Sequence, residues 1–84
     1  MSIIFKTIIF EVILLKAIGA KLKELRLRAK MSEKEIAEKL GVDIRTYRKY
    51  EKGESKLPIR RLIGICLIYR VSADYILGLK DEAN

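Results

Sequence analysis

Four cations, Arg45, Arg48, Lys49 and Lys52, fall within eight residues of the segment DIRTYRKYEK. On a helix from about Ile44 to Glu51, these side chains and Ile44 lie on surfaces away from Tyr47 and Tyr50, which turn inward. A guanidinium donates two parallel hydrogen bonds, the pattern that guanine accepts through O6 and N7, and an ammonium suits a phosphate as a point charge. The chemistry on offer is recognition of a polyanion rather than bond-making. The chain has no histidine and one cysteine, Cys66, set in the apolar run LIGICLIY. That setting reads as a buried small hydrophobe, and a zinc site is excluded for want of ligands. No Ser/His/Asp set, phosphate-cradling glycine loop or paired-carboxylate cleft is present, so neither an enzyme nor a cofactor is expected.

The basic helix needs a partner to hold it. Ser32 followed by Glu35 forms a capping box, in which the serine oxygen accepts an orphan amide and the glutamate reaches back. Ile36, Ala37 and Leu40 then share one helical face, and Gly41 stops the helix where a left-handed residue is required. Val42 and Asp43 restart the chain, Asp43 capping the basic helix, and the small Ala37 lets that helix approach closely. A helix-turn-helix of this shape presents its second helix to the major groove of DNA.

Around this pair the chain of 84 residues makes one domain. A helix from Ile18 to Ala29 places Ile18, Leu22, Leu25 and Ala29 on its core face, and Lys30 and Met31 turn into the next helix. A polar loop with Gly53 leads to Pro58, suited to the first position of a helix running to Tyr69, which buries Leu62, Ile65, Cys66 and Tyr69. Gly64 inside that helix costs about 1 kcal/mol against alanine, which close packing against a neighbour would explain. Ser72 caps a last helix from Ala73 to Leu77, ended by Gly78, and Lys80 to Asn84 form a polar tail. One core should gather Ile36, Ala37, Leu40, Val42, Tyr47, Leu62, Cys66, Val71 and Ile76. Net charge is +7, and residues 20–70 hold fifteen Lys/Arg against seven Asp/Glu. A positive central block suits a phosphate-rich partner.

From Ile18 to Leu79 the chain resembles the phage-repressor (XRE, lambda-repressor-like) helix-turn-helix family. The resemblance rests on Ala37, Gly41, Tyr50, Glu51, Gly53, the LPIRRL segment from Leu57 to Leu62, and the closing VSADYILGL. It implies a mainly α, five-helix DNA-binding domain whose partner is double-stranded DNA. It also implies that Ile44, Arg45 and Lys49 face base edges, with Thr46 and Arg48 beside them. Arg45 is the strongest of these, Lys49 reaches a base or a phosphate, and Ile44 offers apolar contact. Phosphate contacts are expected at Lys52, Lys56, the amides around Gly53, and the start of the second helix at Ser32. Arg26 and Glu51 are expected to form a partly buried ion pair that locks the recognition helix to the first helix. Three positions depart from the family. Lys30 stands near a place where relatives often have glycine, Glu33 where many have glutamine, and Ile59 where some have a basic residue, with Arg60 and Arg61 as possible compensation.

Residues 3–15, IIFKTIIFEVILL, lie outside the family pattern, and residues 1–17 read as a separate dimerisation segment preceding the domain at 18–79. The run is rich in β-branched and aromatic types, broken only by Lys6, Thr7 and Glu11. It is too short for a transmembrane helix and lacks a signal peptide's features, so a cytoplasmic protein without a membrane partner is expected. A strand buried on both sides is favoured, paired with its copy in a homodimer, and a continuous helix into the first helix is the alternative. The functional expectation is a sequence-specific transcriptional regulator, a repressor acting as a homodimer. The rival is a protein-interaction module or antitoxin on the same fold, with a protein partner and weak base reading. Surface attachment to a membrane would need an amphipathic pattern that the run does not have. No room is expected for a separate sensor domain.

Overall fold

The computed structural model describes residues 3–81, which form five helices: α1 (Ile3–Arg28), α2 (Glu33–Leu40), α3 (Ile44–Lys52), α4 (Ile59–Tyr69) and α5 (Ala73–Ile76). The remainder of the polar tail, residues 82–84, lies outside the described residues. The core gathers Ile18, Leu22, Leu25, Ile36, Ala37, Leu40, Tyr47, Tyr50, Ile65, Tyr75 and Ile76, all buried. Val42, Leu62, Cys66 and Val71, expected inside it, pack against its edge and keep partial exposure.

The expected strand is absent among the described residues, because residues 3–15 continue α1 without a break. Composition pointed to a strand, but no Gly, Pro, Asn or Asp interrupts the chain before Gly19, and α1 is already nucleated by its packed half. Each further residue adds one internal hydrogen bond to a formed helix, whereas a strand would leave both its edges open. The first three turns project from the domain with Ile3 83%, Phe10 67% and Ile13 62% exposed. Ala29, assigned to the core face, is exposed in the turn after α1. There Lys30 adopts φ 56 and Met31 N–H donates to Arg26 O at 3.1 Å, a left-handed helix stop built without glycine.

Local chemistry sets the other boundaries. The Ser32–Glu35 capping box closes in both directions, and Gly41 ends α2 at φ 74. The Asp43 carboxylate accepts Arg45 N–H at 2.8 Å and starts α3. Pro58 stands one residue outside α4 as its cap, its extended ψ of 148 aiming its carbonyl at the amides of Arg61 and Leu62. Arg61 turns back to donate to Leu40 O at 2.8 Å, closing an orphan carbonyl at the end of α2. A Cβ on Gly64 would meet the Leu40 side chain at 3.1 Å, so glycine keeps α4 close to α2. Leu77 caps α5 one residue earlier than the spacing suggested.

Candidate nucleic-acid interface

The position of α3 is fixed from behind by α1. A Cβ on Gly19 would lie 2.3 Å from Glu51 O, and one on Gly53 would lie 2.8 Å from Lys16 Cα, so the two backbones touch at these glycines. Lys16 Nζ donates to Lys52 O at 3.1 Å, placing a cation at the carbonyl end of α3. Beside the crossing, Arg26 forms a fork with Glu51: Nε donates to Oε2 at 2.6 Å and Nη2 to Oε1 at 3.2 Å. The third Arg26 bond, Nη1 to Met31 O at 3.1 Å, ties the same guanidinium to the turn before α2. Side-chain exposures of 12% and 7% mean that the pair is largely desolvated. The Glu51 hydrogen bond raises the Arg26 pKa further above its usual value.

Tyr47 and Tyr69 place buried hydroxyls near this fork, and neither makes a hydrogen bond of good geometry. Burial, then the Glu51 carboxylate as a hydrogen-bond acceptor and as a charge, raises the Tyr47 phenol well above its ordinary range, and burial pushes Tyr69 up to about 12. In the fold both stay protonated where the unfolded chain ionises, near 10.0, so their contribution is complete below that pH and is lost as pH rises through the folded values. Alkaline unfolding followed by circular dichroism should therefore steepen above about 10, and the Tyr47→Phe/Tyr69→Phe protein should resist it better. At neutral pH that double variant should cost under about 1 kcal/mol, because only the poorly formed approach of the Tyr47 hydroxyl to Glu51 is removed. A larger neutral-pH loss would mean that the hydroxyls are bonded.

The opposite surface of α3 carries the cations. Arg45 is open, its side chain 86% exposed and leaning on Asp43 at 3.6 Å. Lys49 and Lys52 are exposed, while Ile44 and Thr46 are half-buried at the start of the helix. Arg48 is held by Glu33, Nε to Oε1, at 3.5 Å. Ser32 accepts Glu35 N–H in its cap and retains a hydroxyl proton to donate outward. Lys56 lies further along, its Nζ 3.1 Å from Glu11 Oε1 on α1. The Gly53 amide, among those expected near a phosphate, donates to Tyr50 O at 3.1 Å, and Gly53 also serves the cap and the α1 contact. A cleft beside α3 is lined by Val42, Asp43, Thr46, Tyr50, Pro58, Arg60 and Arg61. With Arg61 engaged at α2, Arg60 is the cation there that can offset Ile59. Sequence reasoning missed Gly19, Lys16 and the capping role of Arg61, none of which carries a local signal.

A helix-turn-helix family model matches residues 22–76. The chain belongs to that family, in its phage-repressor (XRE) branch. It is 39% identical over 64 residues to the uncharacterized HTH-type transcriptional regulator YobD of Bacillus subtilis (strain 168), a match covering 76% of this chain and 57% of that protein. It is 37% identical over 68 residues to the HTH-type transcriptional regulator ImmR of the same organism, covering 81% and 53%. A third relative, the uncharacterized HTH-type transcriptional regulator YqaE, is 38% identical over 63 residues, covering 75% and 53%. The chain thus spans about half the length of the curated relatives it matches. The match spans α2 and α3, the two helices joined by the tight turn at Gly41. Among the described residues no helix is long and apolar enough to cross a membrane.

Proposed function

We propose that this chain is a sequence-specific DNA-binding transcriptional regulator of the cytoplasm, a repressor that occludes promoter DNA as a homodimer with α3 in the major groove. The observation that carries this reading is the arrangement of α3: its back is held rigidly on α1 while Arg45, Arg48, Lys49 and Lys52 face outward. The names of the three relatives support a regulator. Ile44, Arg45, Thr46, Arg48 and Lys49 meet base edges, and Ser32, Lys52 and Lys56 meet phosphates on either side. No cofactor takes part.

Selection of bound fragments from a random duplex pool tests this reading, and the selected duplex then serves as probe. Arg45→Ala should weaken that duplex by about 1–3 kcal/mol and relax the preference at one base pair, as for a lost bidentate contact. A pool that yields no preferred sequence would instead favour a protein-interaction module or antitoxin on the same fold. The acidic Glu33 beside the recognition helix is the observation that favours this second reading.

The homodimer is assigned to the N-terminal half of α1. Apolar side chains exposed over three helical turns form a surface that monomers rarely leave open. A second copy, related by a two-fold axis, covers it with the same apolar face, and the two recognition helices then stand one DNA turn, about 34 Å, apart. Deleting residues 2–14 should give a monomer by light scattering, with weaker operator binding. A soluble truncated dimer of unchanged affinity would place the contact elsewhere, on α5.

A further inference from the structure

We infer that Glu33 is a specificity-determining residue that restrains Arg48 and so suppresses contacts made alike with every duplex. The inference rests on the DNA-binding reading above. Glu33 is the first residue of α2, directly after the Ser32 cap, and its Oε1 reaches across to Arg48 Nε on α3 at 3.5 Å. The two side chains are 34% and 48% exposed, so solvent and an approaching polyanion reach both.

Two consequences follow for a phosphate backbone. The carboxylate occupies the edge of the α2 N-terminus, where the dipole and free amides would otherwise favour an anion, and its charge repels one. It also neutralises Arg48, which must leave Glu33 before it can displace a DNA counterion. Both effects weaken binding that does not depend on sequence. Arg45 stands apart from them. Its partner is Asp43, the cap of its own helix, and its side chain is 86% exposed, open to a base edge. Restraining Arg48 while leaving Arg45 open lowers non-specific binding more than specific binding, which raises the ratio between them. An exposed ion pair contributes little to folding stability, so Glu33 can be changed without loss of the domain.

The test compares the intact chain with Glu33→Gln, Arg48→Met and the double variant. Each is titrated over a range of salt onto a random-sequence duplex and onto a duplex selected from a random pool. Glu33→Gln should tighten random duplex about five- to tenfold near 0.1 M salt and steepen the salt slope by about one, as one more phosphate is neutralised. Its gain on the selected duplex should be smaller. On random duplex Arg48→Met should abolish the gain in the Glu33→Gln background, and its loss there should exceed its loss in the intact background. Equal effects of Arg48→Met in both backgrounds, or an unchanged slope with Glu33→Gln, would overturn the inference while leaving the DNA-binding reading in place. Failure of every variant, the intact chain included, to bind duplex at any salt would overturn that reading and this inference with it.

Discussion

Arg26→Ala should destabilise the domain by about 3–5 kcal/mol, because it strands the Glu51 carboxylate in a site that is almost dry. Much of that figure is the cost of an orphaned buried charge rather than the net worth of the pair. Domains of this kind are stable by only about 5–15 kcal/mol, so the variant should be partly unfolded at physiological temperature. Arg26→Lys should recover only part of the loss, since an ammonium cannot make the two-pronged bond to Glu51 and reach Met31 O as well. Urea unfolding of the three proteins at neutral pH measures this. A loss below about 1 kcal/mol would mean that the pair behaves as a surface salt bridge.

Gly19→Ala should also destabilise, against the propensity rule. In an exposed helix interior the change would gain about 1 kcal/mol. Here the new methyl would stand 2.3 Å from Glu51 O and 2.8 Å from Tyr50 O, both backbone atoms that no rotamer can move. The helices α1 and α3 must separate, loosening the Arg26 fork and tilting the recognition helix. Overpacking of this kind costs about 1–3 kcal/mol net, and DNA affinity should fall along with stability. A thermal melt at or above that of the parent would show that the crossing has slack.

Caps and turns were legible because their signals are local. Ser32 with Glu35, Gly41, Asp43 and Ser72 each act on amides or backbone angles within a few residues, and each does so in the structure. The α2–α3 corner followed directly. Pairings across the fold were legible only where the family resemblance named them, as for Arg26 and Glu51, which are far apart in sequence and joined by a fork. Gly19 was not legible, since a glycine demanded by a neighbouring backbone looks like any helix-weakening glycine until the neighbour is placed. The segment at residues 3–15 misled for a related reason. Its β-branched composition speaks for a strand, but composition is a weak prior beside a packed helix that only needs extending. Glu33 was legible as a departure from the family, and its partner Arg48 was not.

The central claim, that the outward face of α3 binds duplex DNA, is tested most directly by the salt dependence of binding to a duplex, followed by fluorescence anisotropy for the intact chain and for Lys52→Ala. The intact chain should show log K falling linearly with log salt, and Lys52→Ala should reduce that slope by about one, with the same effect on every sequence. Binding that is insensitive to salt, or a Lys52→Ala slope identical to that of the intact chain, would contradict it.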